Sequence, residues 1–264
     1  MTNLSSLLKK DWKEYLRGNK YLIFSLVLFG LGAMLLLTTR YFPLLMDAMN
    51  QLAPGMVLDP QALNQTIGNF YAADMRTSFG LWAPDVCLFY TILVVLITLN
   101  IIPNERHRGC WIMPNAVGYK KSQILLSKCI VYSLGASLPV FVFSLIYYAV
   151  SALFMVHDLA FGEALIDSVV LTIAMATIVV VTILTSAIGK HPIIAAISII
   201  VFVLLGPDLL ALFMFGRYLP TYILSYVYMM EYDLGALIIP IIEIIIMDFV
   251  LFKIAVAKLE KCEY

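Results

Sequence analysis

Two carboxylates, Glu243 and Asp248, lie inside a long apolar run near the end of the chain. A carboxylate in a bilayer interior is costly, so each needs a proton, a cation, a partner on another helix or water in a polar cavity. Five residues separate the two, which is an offset of about 140° around an α-helix, so we do not expect them to share one site. The pattern favours structural pairing over a proton relay or a cation site.

The sequence lacks the motifs of common catalytic sites. It has no Gly-x-x-x-x-Gly-Lys-Ser/Thr phosphate loop, no His-Glu-x-x-His zinc pair and no Gly-x-Ser-x-Gly nucleophile turn. The four cysteines, Cys87, Cys110, Cys129 and Cys262, do not have the close pairing of a zinc site. We therefore expect no catalytic residues, no metal and no cofactor bound by the chain itself.

The most distinctive polar segment is 103–122. Prolines and glycines break it into short pieces, with a charged part followed by an exposed apolar group. The charged part contains Glu105, Arg106 and Arg108, and the apolar group contains Trp111, Ile112 and Met113. Aromatic, Met and Arg side chains are enriched in interfaces, so the segment predicts a protein partner. The alternative is an interfacial loop with Trp111 in lipid.

These residues must be positioned by six long apolar runs. The chain is 62% hydrophobic and 13% charged, too apolar for a soluble domain of 264 residues. The runs are 21–39, 86–102, 130–156, 168–188, 192–213 and 235–254. At about 1.5 Å per residue, each spans or nearly spans a hydrocarbon core of about 30 Å. The sequence predicts an all-α membrane protein with six transmembrane helices in one domain, 1–264.

Basic residues are distributed unevenly between the two sides of this arrangement. One side receives all but three of the 17 Lys and Arg residues, and the other side receives Arg40, Arg76 and Arg217. Because basic loops stay inside, both termini and the 103–122 loop are predicted to be cytoplasmic in a multi-pass cell membrane protein. The outward segments are 40–85, 157–167 and 206–234, and their acidic residues, including Asp167, are interpreted as a solvated rim.

The first 19 residues predict an amphipathic helix. Apolar residues recur at helical spacing, with lysines on the other faces. This suits a helix on the inner leaflet, where Trp12 and Tyr15 lie at headgroup depth and the lysines snorkel or meet anionic lipid. The alternative is a helix packed on the chain's own bundle. In either case Gly18 and Asn19 allow a turn into the membrane.

Two outer segments and one inner turn complete the layout. Segment 40–85 contains two amphipathic stretches and predicts a small helical cap. Segment 206–234 is interrupted by glycine and proline and predicts a re-entrant or interfacial segment. The short turn 189–192, with Lys190 and His191, predicts a second cytoplasmic contact point.

This arrangement resembles the type-2 permeases of ATP-binding-cassette (ABC) exporters. The resemblance covers the whole chain in layout, through the amphipathic N-terminal helix, the six spans and the interrupted segment before the last span. At residue level it depends on a Glu, Gly, Pro and Lys pattern. The matching residues are Asn104-Glu105-Arg106, Gly109, Met113-Pro114-Asn115, Gly118-Tyr119-Lys120-Lys121-Ser122 and Lys128.

The resemblance implies a permease that pairs with a second permease copy or paralogue and with two cytosolic ATPase subunits, which hold the ATP and Mg. Segment 103–122 would be the coupling helix. Glu105, Arg106, Arg108 and Tyr119 would make polar contacts with the ATPase, Trp111, Ile112 and Met113 would be its apolar anchor, and Lys190 and His191 would make a lesser contact. Closure of the ATPase pair would then alternate access through the spans.

The long 40–85 segment resembles bacterial peptide exporters more than drug or sterol exporters. The implied cargo is an amphipathic peptide, such as a phenol-soluble modulin or a bacteriocin, since an apolar interior with Met and aromatic residues suits it. Drugs and lipids remain alternatives, and no nucleic acid partner is expected. The competing class is an ATP-independent membrane protein, either a secondary transporter that uses Glu243 or Asp248, or a scaffold.

Overall fold

The computed structural model describes residues 4–52, 74–189, 193, 195–201, 203, 223 and 234–261. Over these residues the chain is helical apart from short turns, and no strand forms there, so the all-α prediction is confirmed for this part. The α-helices are α1 Leu4–Arg17, α2 Lys20–Leu52, α3 Met75–Asp85, α4 Thr91–Thr98, α5 Ile101–His107, α6 Ile112–Ala116, α7 Lys121–Phe154, α8 Phe161–Ile188 and α9 Leu234–Glu260. A π-helix, Val86–Tyr90, joins α3 to α4.

Among the described residues, four helical segments are long and apolar enough to cross a membrane. They are Lys20–Tyr41, Met75–His107, Lys121–Phe154 and Phe161–Ile188. They coincide with the first four apolar runs and give the chain the character of a multi-pass membrane protein. The last run, 235–254, lies within α9. The fifth run, 192–213, and the predicted re-entrant segment, 206–234, fall mostly outside the described residues.

The spans are longer than the apolar runs that predicted them. Helix α2 continues to Leu52 and α3 begins at Met75, so both enter the predicted outer segment 40–85. Pro84 and Asp85 precede the apolar run 86–102 in the sequence, but the helix already includes them, and Phe79 and Trp82 before them are buried in the bundle. The π-helix begins two residues after Pro84 and is a rare form that occurs mostly as a single turn inside an α-helix. The rest of the predicted cap, 53–73, lies outside the described residues.

Helix α7 is the centre of the bundle, because it contacts α1, α2, α3, α8 and α9. In the half of α7 away from α1, Trp82 stacks on Tyr147 with 4.8 Å between ring centroids, and its indole nitrogen donates to Ser144 at 2.9 Å. The Tyr147 hydroxyl is 2.6 Å from that of Ser78. These aromatic residues therefore bring their polar atoms into the apolar interior already hydrogen-bonded, as burial requires.

Candidate functional site

A charge cluster centred on Lys128 joins three segments of the chain at one end of the bundle. The Lys128 ammonium lies 2.5 Å from Glu105 Oε1, 2.9 Å from Asp11 Oδ1 and 3.3 Å from Glu14 Oε2. Asp11 and Glu14 are on α1, Glu105 is on α5, and Lys128 is in the second turn of α7. The side chains of Lys128 and Asp11 are each only 1% exposed. One ammonium group therefore connects the N-terminal helix, the 103–122 segment and a membrane span.

The second carboxylate oxygens of Asp11 and Glu105 also have donors. Ser127 Oγ donates to Asp11 Oδ2 at 2.6 Å, and Trp111 Nε1 donates to Glu105 Oε2 at 2.9 Å. Each oxygen of Asp11 and Glu105 thus has its own contact. Lys10 approaches Asp11 at 3.8 Å. A buried ion pair is tolerated only when its other lone pairs are satisfied in this way.

Helix α1 docks on the bundle through one row of side chains, Leu7, Asp11 and Tyr15, which are spaced four residues apart. The Tyr15 hydroxyl donates to the Gly135 carbonyl at 2.7 Å. A Cβ at Gly135 would lie 2.5 Å from Tyr15 Cζ, so only glycine permits this approach. Burial raises the pKa of the Tyr15 phenol. Tyr15 is thus buried against the bundle, whereas Trp12 is 38% exposed.

Two further contacts hold α1 and the segments around it. Lys20 Nζ, at the start of α2, donates to the Tyr132 hydroxyl at 2.9 Å and lies 4.5 Å from the centre of that ring. The hydroxyls of Ser6 and Tyr119 are 2.5 Å apart, which connects α1 to the end of the 103–122 segment. The turn predicted at Gly18 and Asn19 is confirmed, and Asn19 has a positive φ of 51°.

Segment 103–122 is broken into short helices, as its prolines and glycines predict. Gly109, with φ 65°, follows the end of α5, and Gly118, with φ 96°, follows the end of α6. A positive φ favours glycine, so these residues permit two tight helix ends only nine residues apart in sequence. The segment therefore folds back on itself and holds α6 beside the Lys128 cluster.

The prediction that Trp111 is exposed is wrong. Its side chain is 1% exposed, because the indole packs into the core and donates to Glu105. Ile112 and Met113 are exposed as predicted, at 57% and 77%, and Val117 is 67% exposed. Arg108 is also exposed, whereas Arg106 is half-buried. Trp111 therefore holds the start of α6 against the core. Three apolar side chains are exposed there: Ile112 and Met113 on α6, and Val117 directly after it.

A different set of charges lies near the opposite end of α7, on the neighbouring segments. Arg76 of α3 pairs with Glu163 of α8 at 2.7 Å, and the Arg76 backbone nitrogen donates to Asp158 at 2.9 Å. Asp167, one turn further along α8, is 2% exposed, and neither of its carboxylate oxygens has a hydrogen-bond partner. The interpretation of Asp167 as part of a solvated rim is wrong, because α8 begins at Phe161 and already buries this position.

The two predicted intramembrane carboxylates are on a helix that contributes no side chain to the Lys128 cluster. Glu243 and Asp248 are half-buried on α9, and one oxygen of each is buried without a hydrogen-bond partner. Lys190 and His191 lie outside the described residues. Within the described ranges, no group of three or more His, Cys, Asp or Glu side chains is arranged to hold a metal ion.

The partners of Lys128 on α1 were not predicted from the sequence. Asp11 interrupts an otherwise apolar row between Leu7 and Tyr15, and that interruption is the signal that predicts a buried cation opposite it. Glu14 is outside this row, and its side chain is 49% exposed, so the sequence gives no comparable signal for it. Without the fold, nothing connected either residue to a lysine more than 100 residues later in the chain.

Comparison with known proteins identifies no relative of this chain. No family model, no curated protein and no solved structure matches it.

Proposed function

We propose that the chain is the transmembrane permease subunit of an ABC exporter, and that segment 103–122 receives the motion of a cytosolic ATPase. The observation that carries this proposal is the two-sided construction of α6. Ile112 and Met113 are exposed on α6 and Val117 is exposed directly after it, while Trp111 and Glu105 connect the start of α6 to Lys128 on α7. An exposed apolar group on a rigid base is suited to bind a partner and to transmit its displacement to a span.

The same construction supports the direction of coupling. A displacement of α6 would act on Glu105, and through Lys128 on both α7 and α1. Buried ion pairs resist separation, so the three segments would move together. The chain has no phosphate loop, so ATP and Mg would be held by two copies of the partner ATPase.

Two apolar surfaces support the proposed second permease subunit and the proposed cargo. The first span is the least buried, at 17% against 50–56% for the other three, which leaves it available for lipid or for a second permease copy or paralogue. A cavity of about 250 Å³ between α2 and α7 is lined by apolar residues such as Leu28, Ala33 and Ile146. An amphipathic peptide or a similar hydrophobic cargo, a drug or a lipid included, suits such a surface.

The test is co-purification of the tagged chain from its native membrane, with mass spectrometry and an ATPase assay on the product. We expect a stoichiometric ATPase, and we expect Ile112→Ser/Met113→Ser to remove it because these side chains are the apolar contact. The control is Leu153→Ser/Phe154→Ser, which changes two equally exposed residues at the other end of α7. Absence of an ATPase from the wild-type preparation would contradict the proposal.

A second candidate function is ion-coupled transport through α9. It is favoured by the buried oxygens of Glu243 and Asp248, which have no hydrogen-bond partner and could carry a proton. The substitution Glu243→Gln separates the two candidates. If ATP supplies the energy, export continues in this variant, whereas a proton-coupled carrier would lose transport.

A further inference from the structure

Residues four positions apart form four rows along helix α1, and one of these rows, Ser6, Lys10 and Glu14, includes the exposed Glu14. The first row, Leu7, Asp11 and Tyr15, is buried against the bundle. Each following row is rotated by about 100° around the helix. The second row is Leu8, Trp12 and Leu16, and the third row is Lys9, Lys13 and Arg17.

The third row faces away from the protein, and so does part of the second row. Trp12 is 38% exposed and Leu16 is 40% exposed, whereas Leu8 packs against the core, so the bundle leaves the last two residues of the second row partly uncovered. All three residues of the third row are exposed. An apolar row beside a basic row, with a tryptophan next to the boundary, is typical of a helix in a membrane interface.

The structure directs both acidic side chains of this helix to Lys128. Asp11 is buried in that contact, whereas Glu14 contacts Lys128 at 3.3 Å and its side chain is 49% exposed. The helix therefore pairs its negative charges with Lys128, while the basic row is exposed. The amphipathic pattern of the sequence does not predict this separation, because Asp11 and Glu14 are interspersed with the lysines.

The position of α1 adds a geometric constraint. Only Gly18 and Asn19 separate α1 from the first membrane span, which begins at Lys20. The basic row is thus held at the end of a span, where phospholipid headgroups lie. Anionic phosphate complements the three cations, and acyl chains complement the adjacent apolar row.

We propose that the outer surface of α1 binds anionic phospholipid, with Lys9, Lys13 and Arg17 at the phosphate groups and Trp12 and Leu16 among the acyl chains. This inference is independent of the proposed transport function. Each basic residue near an anionic surface increases affinity about five-fold. The contact is electrostatic and should weaken as salt shortens the Debye length to about 3 Å at 1 M.

The experiment reconstitutes the full chain in nanodiscs with equal amounts of phosphatidylglycerol and phosphatidylcholine, and counts retained lipids by native mass spectrometry. We expect the wild-type chain to retain phosphatidylglycerol preferentially. Lys9→Gln/Lys13→Gln should reduce that preference at least about five-fold. The matched control is Lys258→Gln/Lys261→Gln, which also removes two exposed positive charges. These lysines are near the end of α9, which lies beside the start of α7 because Lys121 Nζ donates to the Leu259 carbonyl.

Two outcomes would overturn the proposal: no lipid preference in the wild-type chain, or an equal loss in both double variants, which would assign the effect to overall charge. A second measurement does not depend on these variants. Phosphatidylglycerol with brominated acyl chains should quench Trp12 fluorescence more than brominated phosphatidylcholine, relative to a Trp12→Phe background. Equal quenching by the two lipids would contradict a headgroup-specific site.

Discussion

The charged residues at the two ends of α7 differ in burial and in hydrogen bonding. Near its start, Lys128 is buried with Asp11 and Glu105, and every oxygen of these two carboxylates has a contact. Near its far end, the ion pair is partly exposed, since the Arg76 and Glu163 side chains are 42% and 32% exposed. The buried carboxylate at that end, Asp167, has no hydrogen-bond partner.

This difference indicates which end is built to stay together. A buried ion pair is costly to separate, because either partner alone is an uncompensated charge in a low-dielectric interior. An exposed pair contributes little and exchanges easily with water. We infer that α1, α5 and α7 are fixed to one another at the Lys128 end, while α3 and α8 are only loosely connected by charge at the far end.

The largest expected effect is that of Lys128→Met. The substitution leaves Asp11 and Glu105 buried without their cation, so the free energy of unfolding should fall by about 3–5 kcal/mol. Thermal unfolding in detergent measures this loss. The control is Lys258→Met, a lysine exposed on α9, which should be close to neutral. Similar stability of the two variants would remove the distinction between the ends.

The same substitution at both ends should give opposite signs. Asp11→Asn loses a charged hydrogen bond and an ion pair, which should cost about 1.5–3 kcal/mol. Asp167→Asn replaces an unpartnered buried carboxylate by a neutral amide, so we expect a gain in stability of about 1 kcal/mol. Chemical denaturation of both proteins in one detergent tests the pair. A loss at Asp167 would mean that its charge is compensated after all.

The docking of α1 depends on Gly135 as well as on charge. In Gly135→Ala the new Cβ would overlap the Tyr15 ring, so α1 must shift, at a cost of about 1–3 kcal/mol. Gly30→Ala is the matched control, because this glycine is also inside a long helix but has no atom within 4 Å of the added Cβ. Hydrogen exchange of α1 amides should increase only in the first variant, and unchanged exchange would show that Tyr15 adapts.

The smallest effect is expected for the far-end ion pair. Arg76→Gln removes the contact with Glu163 but leaves the backbone hydrogen bond from residue 76 to Asp158. Because both side chains are partly exposed, the loss should be less than about 1 kcal/mol, and it should decrease further at high salt. Thermal unfolding at two salt concentrations measures it. A loss as large as that of Lys128→Met would make the ends equivalent.

The lengths of the apolar runs predict much of this fold. The helical class and the positions of four spans are recovered from run length alone, because a bilayer requires long apolar helices. The span ends are not recovered, since Asp85 and Asp167 are polar residues that tertiary packing encloses within helices. The hydropathy averaged along the sequence falls at such residues, so the predicted span ends there, whereas the helix continues.

The candidate site was predicted only in part. Glu105, Trp111 and Lys128 were identified by pattern, but not their contact with one another, and Trp111 was assigned to the wrong side of α6. The reason is physical. An indole next to charged residues is equally compatible with an interface and with a buried donor to a carboxylate, and only the partner distinguishes them.

The contacts of α1 also set an order of events during synthesis. Asp11 and its donor Ser127 are 116 residues apart in sequence, and at roughly 5–20 residues per second a ribosome needs about 6–23 s to make that interval. Throughout that time α1 exists without the lysine that neutralises its acidic side. Helix α1 is therefore made well before its partners on α7, and the two spans Lys20–Tyr41 and Met75–His107 must be threaded before it can dock.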